Sequence, residues 1–205
     1  MPTQTFYDLK ASKRDRIIDA ALNEFAIHDY EHVNIQNIIK DAHISRGSFY
    51  QYFENLDDLF DYLLIYISTQ KKAYLDHYQM LSSDEPFFDR IEKLYMRSYQ
   101  FALEFNNFHL ASKNMIDHAK AMKHPLFQQN HTWLHNYYQA EIQKDIDRGI
   151  LDQNIDIDMV IHVLNLFLDE LLTTHFIEKK LSESDVKHRF ERFINLLKKG
   201  IASHV

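Results

Sequence analysis

The chain has 205 residues, a formal net charge of −7, no cysteine, and only three glycines and three prolines. An average chain of this length carries roughly 14 glycines and 10 prolines. Strand-rich folds need those residues at their turns, so a β-rich or doubly wound fold is excluded and an all-α fold is expected. Without cysteine there is no disulfide, thiolate chemistry or Cys-ligated zinc. No secretion-signal pattern opens the sequence, and no apolar stretch is long enough to span a bilayer. A soluble, cytoplasmic protein with no membrane partner is therefore expected.

Helix starts are read from capping residues and the apolar pairs that flank them. Ser12, with Asp15 three residues on, is the expected cap of a first helix whose apolar face is Ile17, Ala21 and Phe25. Val33 and Ile38 flank Asn34, and Ile44 and Phe49 flank Ser45, so two very short helices follow, about Ile35–Asp41 and Ser45–Tyr52. Asn55 opens a longer helix to about Tyr78, along the face Leu59, Leu63, Ile67. Pro86 suits the first turn of the next, with Phe87, Ile91, Leu94, Phe101 and Phe105 inward. His109–Met122 reads as a short helix. Pro125 opens one to Arg148, closed by Gly149. Asp156 and Ser182 cap two strongly amphipathic closing helices.

The chain is thus expected to divide near residue 54, into a three-helix domain over 1–54 and a larger helical domain over 55–205. The two short helices, joined by the turn Ala42–Ile44, match the helix-turn-helix plan. On the second, Phe49 and Phe53 are four apart and point inward together. Arg46, Gly47, Ser48, Tyr50, Gln51 and Tyr52 are left on or near the outer face, which carries hydrogen-bonding groups and no acid. Such a helix can meet base edges in a major groove while hydroxyls meet phosphates.

The run from Arg16 through Phe60 resembles the DNA-binding domain of the tetracycline-repressor (TetR) family. The matching stretches are RIIDAALNEFA, IIKDAHISRGSFYQYF and NLDDLF. The resemblance implies a dimeric, ligand-responsive transcriptional regulator, most simply a repressor, on a palindromic double-stranded operator. It implies base or near-base contacts from Arg46, Ser48 and Gln51, and phosphate contacts from Ser45, Tyr50 and Tyr52. Gly47 would let the backbone approach DNA closely. Lys13, Arg14 and Arg16 at the start of the first helix, and Asn34 at the start of the second, complete the implied set. Three positions depart from the family's habit: Asp29 and His43 stand where glycine is common, each expected at φ > 0, and Leu56 stands where lysine is usual.

Charge argues mildly the other way. Residues 1–53 hold six basic and seven acidic groups, although four of the basic ones fall within residues 10–16. Few phosphate contacts and a shallow salt dependence are expected. The alternative is an all-helical interaction module without DNA activity.

In the second domain, the resemblance favours a four-helix dimer interface from the two closing helices, with Val160, Leu164, Phe167, Leu171, Phe190, Phe193, Leu197 and Ile201. Without it, these stripes read equally well as plain core. Tyr99, Phe105, His109, Met115, His118, Trp133, Tyr137 and Phe167 are the candidate lining of a small-molecule effector pocket, although aromatics are no denser there than in residues 1–53. His118, His124, His131 and His135 form no metal-binding motif, so neither metal nor cofactor is expected, and nothing points to an enzyme. The helix Asn55–Tyr78 joins the two regions and is expected to transmit effector binding by a population shift.

Overall fold

The computed structural model describes residues 1–77, 84–116, 125–176 and 181–199, without the side chains of 76–77, 126–131, 133 and 172–176. Every regular element among the described residues is helical: α1 (Gln4–Tyr7), α2 (Ala11–Ile27), a 3₁₀ turn (Tyr30–His32), α3 (Ile35–Asp41), α4 (Arg46–Tyr52), α5 (Leu56–His77), α6 (Phe87–Glu104), α7 (Asn106–Ile116), α8 (Pro125–Asp147), α9 (Ile157–Phe176) and α10 (Glu183–Lys199).

Most of the expected caps are formed. The Asn34 side chain accepts from the Gln36 N–H at 2.9 Å, and Ser45 Oγ accepts from the Ser48 N–H at 3.0 Å. Asn55, Asp156 and Ser182 accept from the amides of Asp58, Met159 and Asp185, each three residues on. Gly149, at φ +72°, ends α8. Its N–H donates to Ile146 O and that of Ile150 to Asp145 O, both at 2.9 Å, which is the paired Schellman closure of a helix.

Three expectations are corrected. Ser12 does not cap α2, which begins at Ala11 after Lys10 without a side-chain cap. The first 54 residues hold a fourth helix, α1, because Phe6 supplies an apolar anchor that buries completely. His43 does adopt φ +52°, but Asp29 sits at φ −67°. Asp29 instead caps the 3₁₀ turn, accepting from the His32 N–H at 3.2 Å. That side chain also bonds the His32 ring, which holds the Asp29 carboxyl below its usual range.

The described residues group into two compact units. The first draws on Met1–Ala73 and Phe101–Gln128, the second on Tyr74–Gln100 and Gln129–Val205. The core of the first is Phe6, Ile17, Ala21, Phe25, Ile38, Phe49, Phe53, Leu59, Phe60 and Leu63, joined by Ala111 and Met115 of α7. α7 lies along α2, with Asn114 Nδ2 donating to the Phe25 carbonyl at 2.9 Å. Each buried Phe or Leu of this set contributes about 1.5–3 kcal/mol by leaving water.

The second unit closes around Phe87, Ile91, Tyr99, Tyr138, Ile142, Leu164, Leu171, Val186 and Phe190. Tyr95 stacks on Phe190 at 4.0 Å, and burial raises the Tyr95 hydroxyl pKa far above its usual value. Asp145 is buried there because it has work at a helix end: it accepts the Phe87 N–H at 2.6 Å, satisfying a first-turn amide of α6. Arg90, also buried, pairs with Glu141.

Candidate nucleic-acid interface

The outward face of α4 is set by what the helix buries. Phe49 and Phe53 are fully buried, with ring centroids 5.5 Å apart, and Phe53 lies 4.9 Å from Phe6. A helix of this length is marginal alone, so this apolar seam is what holds it. Ser45 fixes its first turn through the cap, and its Oγ also lies 2.9 Å from Ser48 Oγ.

With that seam inward, Arg46, Gly47, Tyr50 and Gln51 are exposed and Ser48 half-buried. The Arg46 guanidinium lies 5.8 Å over the Tyr50 ring, so the two largest side chains on this face share one place. A Cβ on Gly47 would meet only Ser45 Oγ, at 3.9 Å. The fold itself therefore does not require glycine there, although glycine in a helix costs about 0.5–1 kcal/mol relative to alanine.

Tyr52 differs from the expected placement. It is 3% exposed, packs 6.2 Å from Phe6, and carries the Lys13 ammonium 5.6 Å over its ring. The i, i+3 spacing from Phe49 turns it inward. Arg14 is also engaged, its Nη1 donating to Tyr7 O at 3.2 Å, whereas Arg16 is exposed. Asn34 is exposed with its side-chain oxygen used by the cap, and its backbone N–H donates to Glu24 at 2.9 Å. Leu56, in place of a lysine, packs against the first core.

The other candidate residues are scattered. Tyr99 is buried in the second core, with burial pushing its hydroxyl up to about 12. Tyr137 and Phe167 border that core, Phe167 stacked on Phe193 at 3.8 Å. Met115 is buried in the first core, and Phe105 and His109 also fall in the first unit. His118 and the Trp133 side chain lie outside the described residues. Of the residues expected at a dimer interface, Leu164, Leu171 and Phe190 are already fully buried within one chain, and Val160, Phe193 and Leu197 are half-buried against the same core. Ile201 lies outside the described residues. The sequence reading missed Met159, Val163 and Leu166, an exposed apolar row at helical spacing on α9, and Leu196 on α10. The signal for that row was present, since α9 is apolar over more than one face.

His118, His124 and the His131 side chain are also outside the described residues, and His135 Nε2 lies 3.3 Å from Asp158. Among the described residues no three potential ligands converge as a metal site, and no helix is long and apolar enough to cross a membrane.

A capped, aromatic-anchored short helix with a polar, acid-free outer face, set after a tight turn from a second short helix, is a helix-turn-helix. Residues 17–63 match the family model described as bacterial regulatory proteins, tetR family. A TetR family transcriptional regulator from Chloroflexus aurantiacus J-10-FL matches at 27% identity and a TM-score of 0.78, with 100% of both chains covered. The fatty acid degradation regulator FadR from Bacillus halodurans matches at 18% identity and a TM-score of 0.73, over 96% of this chain and all of that one. FadR from Bacillus subtilis, in complex with stearoyl-CoA, matches at 16% identity and a TM-score of 0.73, over 92% of this chain and 99% of that one. No curated protein sequence matches. The chain therefore carries a tetR-family N-terminal domain and has the fold of TetR-family transcriptional regulators from end to end.

Proposed function

We propose that the protein is a repressor that binds a palindromic operator as a dimer and is released by a small molecule. The observation that carries this is the outer face of α4: Arg46, Gly47, Ser48, Tyr50 and Gln51 presented by a helix whose other side is locked by Phe49 and Phe53. Residues 1–54 read DNA, and residues 55–205 hold the effector and the second subunit. Arg46, Ser48 and Gln51 face bases; Ser45, Tyr50, Arg16, Lys13 and Asn34 serve the phosphates.

The stearoyl-CoA held by FadR of Bacillus subtilis supports small-molecule binding in this fold. α5 transmits the signal, because its residues up to Ala73 belong to one compact unit and those from Tyr74 to the other. A ligand releases DNA only by the difference in its affinity for the two states.

Selection from a random double-stranded DNA pool tests the reading. A palindromic winner is expected, bound by two chains with affinity falling as salt rises. Absence of enrichment even at low salt would favour an interaction module. The exposed row Met159, Val163, Leu166 is the natural dimer seam, since these residues are 54%, 36% and 58% exposed and share one side of α9. Leu166→Glu is expected to convert dimer to monomer in sedimentation analysis and to lower operator affinity with it; a dimer that persists at micromolar concentration would move the seam elsewhere.

A further inference from the structure

The C-terminal end of α4 is held from outside the helix. A helix leaves its last four carbonyls without intrahelical donors. Thr3 satisfies two of them: its backbone N–H donates to Tyr52 O at 2.9 Å, and its hydroxyl donates to Gln51 O at 2.6 Å. Three residues on, Phe6 is fully buried, 4.9 Å from the Phe53 ring and 5.1 Å from that of Tyr62. The far end of α1 is tied down in turn, because Arg14 of α2 donates to Tyr7 O.

We infer that residues 3–7 are a strap that sets the pose of α4, with Thr3 and Phe6 as positioning residues for operator recognition. The inference rests on α4 being the reading helix proposed above. Two turns of helix have little stiffness against tilting. Ser45 pins one end, the Phe49–Phe53 seam pins the middle, and the strap pins the end that carries Gln51. The same residue thus offers its side chain outward while Thr3 grips its carbonyl. A small rotation there moves the Gln51 amide across a base edge, while the phosphate-facing groups near Ser45 stay where they are. The strap therefore acts on discrimination between sequences more than on general attraction to DNA.

The test uses the full chain with Thr3→Val and Thr3→Ser. Valine keeps the backbone bond and nearly the same shape but removes the hydroxyl; serine keeps the hydroxyl. Equilibrium binding is measured on the selected operator and on a scrambled duplex, across salt, beside amide exchange resolved along the chain. For Thr3→Val, operator affinity is expected to fall about five- to tenfold, the scale of one lost hydrogen bond. Scrambled-duplex affinity and the salt slope should not change, and Thr3→Ser should restore the wild-type value. Amides of residues 49–53 should exchange faster while those of α2 do not. Operator affinity equal to wild type overturns the inference. So does an equal loss on both duplexes with a shallower salt slope, since Thr3 would then be a phosphate contact. If the unaltered chain selects no operator, the reading of α4 has failed instead. The exchange measurement then still decides whether the strap holds the helix: unchanged exchange at 49–53 rejects it.

Discussion

Replacing Arg46 and Tyr50 together by alanine is expected to remove sequence-specific operator binding while the chain stays folded and dimeric. Both side chains are exposed, Tyr50 at 45%. Their intramolecular bonds are few: the guanidinium lies over the tyrosine ring, and that ring meets Phe49 edge-on at 5.3 Å. An exposed cation–π pair contributes about 0.5–1 kcal/mol, so thermal unfolding should shift by only a few degrees. The binding side of the ledger is larger. An arginine reading a base pair contributes about 1–3 kcal/mol of discrimination, and losing a phosphate contact adds to it, so a fall of roughly a hundredfold is expected for the double variant. The single variants should differ in kind. Arg46→Ala should relax preference at one operator position, whereas Tyr50→Ala should weaken binding to all duplexes alike. Fluorescence anisotropy on the selected operator and its single-base variants separates these outcomes. Wild-type affinity in the double variant would remove α4 from the interface.

The fold was legible where local chemistry decides structure. Asn34, Ser45, Asn55, Asp156 and Ser182 each announce a helix start with a side chain that can reach an amide three residues on or nearer, and each makes that bond. Gly149 announces an end, and only its positive φ allows the closure seen there. The errors arise where a partner distant in sequence decides. Ser12 has the right chemistry for a cap, yet the helix begins a residue earlier. α1 is too short to show a period, and only the pocket made by Tyr52, Phe53 and Tyr62 makes a helix of it. Tyr52 looks like an outward residue in the pattern because the ring that covers it, Phe6, is 46 positions away. Likewise, the α9 stripe was visible as apolar, but one dimension cannot say which apolar residues meet the chain's own core. Leu164 and Leu171 do so, while Met159, Val163 and Leu166 remain outside.

Charge counting treats every ionised group alike, and Glu24 shows what that leaves out. In the sequence it is one of seven acidic groups weighing against DNA binding by residues 1–53. In the fold it is 7% exposed and turned toward α3. Its Oε1 accepts the Asn34 N–H at 2.9 Å and Asn37 Nδ2 at 3.1 Å, and its Oε2 lies 3.2 Å from the same Asn37 nitrogen. One carboxylate thus fastens the last turn of α2 to the cap and first turn of α3. Glu24→Ala is expected to cost about 2–4 kcal/mol, because hydrogen bonds to a charged group are among the stronger ones and their loss strands a partly buried amide. Glu24→Gln keeps an acceptor of the same shape and should cost less, about 1 kcal/mol. Urea titration should show both as shifts in midpoint with an unchanged slope. The order matters more than the sizes. If Glu24→Ala and Glu24→Gln were equally mild, the carboxylate would be a bystander to α3. If Glu24→Ala instead raised affinity for every duplex without loss of stability, Glu24 would be acting as a surface charge after all. The expected result, lost stability and lost operator binding only as the domain unfolds, would place it among the residues that hold α3 against α2.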